Sequence, residues 1–476
     1  MKLKLVVASM SVLGLISCPV LAASDQAEHK HHHRMKHHHE ENYKGEEAVE
    51  AVGYKGEVVS TCPRVSVYDP ILDAMSQNVG RAKATVDCDK PIQFAGGINF
   101  DTQWGNLSEG FMGENNTRFT LNDAYINATG HVNDWVSAFL ELSYNNIQDT
   151  ALNGANFGRY PTVSTEPLPG LYSAGYTLDQ IDLQQGYIML GNPEKFPLFL
   201  KLGKQFLDYG RYSIHPITRS MTQVMTETLQ TSAELSFISA WSNMDFHGSI
   251  FTFQNQITEI DEDDIDTDFG VIDVAESAGN NGKTNFGIQL GVGQVSNQLG
   301  WDVGVGYMYN LFGVNDIAYA TTAFKGGIDD DGGVVNVDQS FYVDRVSGLT
   351  VYGMVNSGPF SLSAHYATAL DEFDAIDLGF GDDDDGAQPW AFDITAAYGF
   401  NYWNRSQNIY VGYQQSGEAA DLFIPQYRWT AGYGIDVLKN TNVGLEYSYD
   451  KAYDEDDGQD DESTNRIALR VAVKFG

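Results

Sequence analysis

Residues Pro197 to Leu207 read PLFLKLGKQFL, with Leu198, Leu200 and Leu202 on one side of the stretch and Lys201 and Gln205 on the other. Side chains of an extended chain point alternately to its two faces, so this is a strand with one apolar and one polar surface. Asn442 to Tyr449 repeats the pattern: Val443, Leu445, Tyr447 and Tyr449 share one face, and Asn442, Gly444, Glu446 and Ser448 the other. The rhythm persists from Pro91 to the last residue, in strands of roughly ten residues joined by connections that are by turns very short and very long. A soluble sandwich shares the alternation. The regular long and short connections fit a closed membrane barrel better, with its apolar face toward lipid and its polar face toward a lumen.

The expectation is therefore an all-β fold, a transmembrane antiparallel barrel of about sixteen strands. Starts fall near Gln93, Arg118, Trp135, Leu178, Leu198, Leu229, Asp245 and Thr284 in the first half. The second half starts near Gly300, Ser340, Pro359, Pro389, Asn408, Pro425, Asn440 and Ser463. The short turns (His131–Asp134, Asn192–Phe196, Ser242–Met244, Ser296–Leu299, Asn356–Pro359, Trp403–Gln407 and Leu438–Thr441) are rich in Asn, Asp, Gly and Pro, which turns select for backbone reasons. An even strand number places both termini on the periplasmic side with the long loops outside. Trp135, Tyr144, Trp301, Trp390, Phe400 and Trp429 gather at strand ends, as interfacial girdles require.

Residues 1–23 read as a secretory signal, with Lys2 and Lys4, an apolar stretch from Leu5 to Ile16, and small residues at Ala22 and Ala23. A competing reading makes Cys18 an acylated first residue. Residues 24–90 are not barrel-like. Seven of the eleven histidines lie at His29, His31, His32, His33, His37, His38 and His39, a loose transition-metal site in the making. The triplets His31–His33 and His37–His39 are the candidate ligands; no bound cofactor is otherwise expected. Cys62 and Cys88 would share an oxidising compartment, and a disulfide between them is expected. Residues 91–476 are the barrel.

The net charge of −36 is concentrated in the long loops, at Asp261–Asp268, Asp329–Asp331, Asp382–Asp385, Asp454–Asp457 and Asp460–Glu462. Such a field draws cations and repels anions within about 8 Å at physiological salt, which argues against phosphate or nucleic acid as the intended partner. The bland alternative is a hydrated rim bridged by divalent ions to lipopolysaccharide. By alternation Glu141, Asp182, Asp302, Asp436 and Glu446 point inward, as do Lys201, Arg428, Arg466, Arg470 and Lys474. Opposed charges across a lumen orient a polar solute; pairing within the wall is the competing use. Ser361, Ser363 and His365 share the inner face of one strand, but no Asp is evident to orient His365 as in a hydrolytic triad. An enzyme is not expected.

Arg118 to Tyr125 reads RFTLNDAY, and Leu178 to Thr228 carries two strands, an Asn-Pro turn, Gly203-Lys204-Gln205, and a Tyr209-Gly210 loop with His215-Pro216. This resembles the LbtU-like siderophore porins. The resemblance implies an outer-membrane barrel of about sixteen strands that takes up a ferric siderophore without a plug domain. It covers the barrel from about Gln93, and carries over no ligand residues. The alternative function is a generic cation-preferring pore or structural barrel with no iron role. The loop Tyr209–Thr228 holds Arg211, His215 and Arg219 and no acid before Glu227. Two readings stand for it: a segment folded back into the lumen that offers its cations to the oxygens of a chelate, or an ordinary surface loop packed on the barrel rim. With Lys201, Gln205, Glu141, Arg428 and Arg470 it makes up the candidate pore and ligand set. The partners implied are outer-membrane lipid, lipopolysaccharide and a small solute; oligomeric state stays open.

Overall fold

A computed structural model describes residues 92–106, 118–146, 179–193, 195–241, 244–255, 257–259, 265–266, 273–274, 283–294, 299–325, 341–380, 386–457, 461 and 463–476. Sixteen antiparallel strands close into one barrel. They are β1 Ile92–Asn106, β2 Arg118–Asn133, β3 Val136–Asn146, β4 Asp179–Gly191, β5 Leu198–Phe206, β6 Leu229–Trp241, β7 Met244–Gln254 and β8 Thr284–Gln294. The second half comprises β9 Leu299–Met308, β10 Gly348–Ser357, β11 Phe360–Ala369, β12 Trp390–Tyr402, β13 Arg405–Gly417, β14 Tyr427–Leu438, β15 Thr441–Lys451 and β16 Ser463–Phe475. Each strand pairs with its neighbours in sequence, and β1 closes the ring on β16, with Asp101 opposite Arg470. Ile92 lies opposite Gly130 beside the β2–β3 turn, and Val473 lies opposite Thr441 beside the β14–β15 turn. Both ends of the barrel therefore sit at its short-turn end.

The expected architecture holds, with two boundaries moved. The tenth strand starts at Gly348, not near Ser340; Phe341–Tyr342 instead forms a two-residue parallel pair with Thr258–Glu259. The Tyr342 ring is fully buried against Phe312, with centroids 4.4 Å apart, so it serves an interior core and not the wall. The thirteenth strand starts at Arg405, because the turn is only Trp403 and Asn404, both at positive φ.

The polarity is inverted relative to a soluble barrel. Leu140, Ile188, Leu235, Ile250, Phe286, Leu290, Val303, Val305, Val351, Leu362, Ile409, Val411 and Leu445 are exposed on the outside. Facing inward and buried are Glu141, Gln185, Lys201, Glu234, His247, Gln289, Asp302, Arg428 and Glu446. Lipid as the outer solvent accounts for such an arrangement, since every strand hydrogen bond is made within the closed ring. Asp436 and Lys474, also expected inside, are exposed at the short-turn end. A bulge at Glu141/Leu142 puts both Gln184 and Gln185 in the interior.

Inward aromatics repeatedly lie flat over a glycine directly across the strand pair: Tyr125 over Gly97, Phe251 over Gly287, Tyr352 over Gly304 and Tyr410 over Gly432. A Cβ at any of the four would strike the ring, so glycine makes room for a large side chain in the wall.

Candidate functional site

The loop after β5 does turn into the lumen. Leu207 N–H donates to Thr228 O (2.8 Å), which closes the neck of the excursion. Gly210 then turns the chain inward at φ +94°, where a side chain would strike the His365 ring. The segment crosses the lumen and returns through α1, Met221–Thr226. Ser220 caps this helix, accepting from Gln223 N–H.

Its polar groups are tied to walls all along the crossing. Arg211 Nη1 donates to Asp302 Oδ2 (2.8 Å), and its guanidinium lies over the Tyr352 ring. His247 Nε2 meets the other Asp302 oxygen at 2.9 Å. His215 Nε2 is 3.0 Å from Ser361 Oγ, and its ring stacks toward Tyr410. Ile217 N–H and Thr218 N–H donate to the Glu446 carboxylate at 2.8 and 3.0 Å. Arg219 is held in a bidentate grip by Asp316, at 2.8 and 2.6 Å, with Glu227 at 3.3 Å. Met221 N–H donates to Gln414, and Thr222 hydroxyl to Asp393.

A second connection joins it. Leu311–Gly313 forms a turn of 3-10 helix, followed by α2, Asn315–Lys325. Leu229 N–H donates to Asn315 Oδ1, and Leu311, Phe312, Val314 and Ile317 are fully buried. With Leu207, Tyr209, Met221, Val224, Met225, Phe253, Phe373, Leu378, Leu422 and Ile424 they form one apolar core inside the barrel. Its described members lie on β7, β9, β11 and β12 and the connections between β5 and β14; none lies on β15, β16 or β1 to β4.

Burial sets the charge states of the crossing. It pushes the Asp208 carboxyl up to about 7, with Arg211 and Lys201 pulling the other way and Glu234 adding to the rise. His215 is pushed down to about 4, so its ring is neutral at physiological pH. Burial opposes the Arg219 cation, but Asp316 and Glu227 outweigh it and hold its pKa above the ordinary value.

The candidate set is thus brought together around one lumen, with each of its Lys and Arg side chains on a carboxylate. Lys201 pairs with Glu234 at 2.5 Å and Gln205 donates to Ser232. Glu141 accepts from Asn127 and Gln185 at 3.4 and 3.5 Å. Arg428 chelates Asp450, and Arg470 chelates Asp101. Sequence reading missed α2, Asp316 as the partner of Arg219, and the role of Glu446. The apolar run Leu311-Phe312-Gly313-Val314 inside a supposed loop was the signal for α2. It also overlooked Asp393, which lies across from His365 with Nδ1 to Oδ2 at 4.0 Å. That is beyond hydrogen-bond reach, and His365 Nε2 faces Thr350 while Ser361 meets His215. The His31–His33 and His37–His39 triplets, Cys18, Cys62, Cys88 and most of the acidic loop residues lie outside the described residues.

No family model matches the chain. A UPF0422 protein of Coxiella burnetii is 24% identical over 362 residues, 76% of this chain and 64% of that protein. A UPF0422 protein of Legionella pneumophila is 24% identical over 318 residues, 66% of this chain and 54% of that protein. The chain thus spans between half and two thirds of the length of these relatives. Among solved structures it is similar to OprB of Pseudomonas putida, with 14% identity, 83% of this chain and 99% of that one covered, and a TM-score of 0.49. OmpF of Salmonella typhi, solved with daunomycin, gives 12% identity, 81% and 97% coverage and a TM-score of 0.44.

Proposed function

We propose that the chain is an outer-membrane channel that facilitates uptake of a small solute, with a ferric siderophore as its cargo. The observation that carries the channel reading is the inversion itself: a closed ring, apolar outside and polar inside, crossed by a fixed internal segment. In this reading the short turns and the amino-terminal segment face the periplasm and the acidic long loops face outward, among lipopolysaccharide. The siderophore rests on the resemblance around Arg118–Tyr125 and Leu178–Thr228. His215 is the ligand contact we favour, since its uncharged ring is only part-buried at the tip of the segment, beside Ser361 and Tyr410. Arg211 and Arg219 serve first to hold that segment, each on a carboxylate.

A generic pore without an iron role is the second reading, favoured by the pairing of the lumen's ions within the protein. Two measurements separate them. Purified protein in planar bilayers should carry current, and a deletion strain should lose growth on one class of iron chelate while keeping it on iron salts. Current without any chelate-specific growth defect selects the generic pore; absence of current removes both.

A further inference from the structure

One carboxylate on the far wall gathers the inserted segment. Glu446 on β15 is 1% exposed and accepts from four donors. Three belong to the segment: Ile217 N–H, Thr218 N–H and the Thr218 hydroxyl. The fourth is the Tyr410 phenol on β13, at 2.7 Å. Between the Gly210 turn and the Ser220 cap the chain is neither helix nor strand, so these amides find in Glu446 the acceptor that regular structure would supply. Hydrogen bonds to an ionised carboxylate are about twice as strong as neutral ones, and two backbone amides give it a fixed direction.

The place of this anchor matters. Ile217 Cδ1 lies 3.2 Å from where a Cβ at Gly444 would stand, and Gly444 is opposite Arg470 on β16. Glu446 therefore fastens the segment where the apolar core ends and the sector β15, β16 and β1 to β4 begins. Ile214, 39% exposed, projects from the same tip.

We propose that Glu446 is a positioning residue that holds the tip Ile214–Ile217 against the wall at β15 and thereby limits conduction through the barrel. The inference rests on the channel reading. Glu446→Gln keeps the volume but replaces one acceptor oxygen by a donor, so donors now crowd one another and the tip leaves the wall.

The test uses the full chain in planar bilayers. Single-channel conductance is compared for wild type, Glu446→Gln, and Glu446→Gln carrying Ile217→Cys and Gly444→Cys, oxidised and reduced. The expected result is a rise of about twofold or more for Glu446→Gln, reversed when the cysteine pair is oxidised and restored on reduction. A second variant, Thr218→Val with Tyr410→Phe, removes two donors and keeps the charge, and should shift conductance the same way by a smaller factor. A conducting wild type whose conductance none of these changes alters overturns the role of Glu446. A wild type that carries no current overturns the channel reading, and this inference with it.

Discussion

Tyr410 lies flat across Gly432, its partner on the neighbouring strand, and from that position its hydroxyl reaches Glu446 at 2.7 Å. A methyl group at residue 432 would occupy the space of the ring. Gly432→Ala should therefore destabilise the barrel by about 1–3 kcal/mol, the usual cost of overpacking. Urea unfolding in vesicles measures it. An unchanged midpoint would show that the ring has room to move and is not held by the glycine.

Arg211 and Asp302 form a pair with little exposure on either side, 2% and 9% of the side chains. Removing Arg211 takes the cation from a buried carboxylate that keeps its bond to His247. Arg211→Gln should cost about 3–5 kcal/mol, and the double change with Asp302→Asn should recover most of it. A double-mutant cycle that shows simple additivity would contradict this.

Two groups in the inserted segment give stability opposite pH slopes. Asp208 titrates near 7 when folded and near 3.8 when unfolded, so between these values the folded state binds more protons and stability falls as pH rises. His215 titrates near 4 folded and 6.5 unfolded, so there the unfolded state binds more protons and stability falls as pH drops from 6.5 to 4. The two effects oppose each other in the wild type. Relative to the wild type, Asp208→Asn should gain more stability, or lose less, from pH 4 to 6.5, and His215→Gln the reverse. Identical pH profiles in all three proteins would refute both assignments.

The acidic loops predict selectivity. Asp382–Asp385 and its counterparts should favour cations, more at 0.01 M salt, where screening reaches only past about 30 Å, than at physiological strength, about 8 Å. Reversal potentials across a salt gradient test this, and neutralising Asp382–Asp385 should reduce the preference. An anion-selective wild type would refute the electrostatic reading.

The wall was legible in the sequence and the interior much less so. Alternation with period two is a local property, so runs such as Leu198–Leu202 and Val443–Tyr449 declare their strand and its faces unaided. Lumen residues such as Lys201 and Arg428 followed from parity alone. Partners did not, because Arg219 meets Asp316 and Thr218 meets Glu446 across separations of 97 and 228 residues. Alternation also misled near Ser340, where Phe341 and Tyr342 have strand character but Tyr342 is consumed by the core against Phe312. An apolar run in a barrel sequence is ambiguous whenever the lumen has an apolar core of its own.

The seam between Asp101 and Arg470 joins residues 369 positions apart, through two short bonds of 2.8 and 2.7 Å. Every other adjacent strand pair is local, so the sheet can grow hairpin by hairpin from either end. The seam repays nothing until the final strand arrives, and until then Asp101 faces the interior without its cation and both edges stay open. The ring therefore cannot close without Ser463–Phe475, and a chain cut short before Ser463 would leave the outer edge of β1 open to other strands.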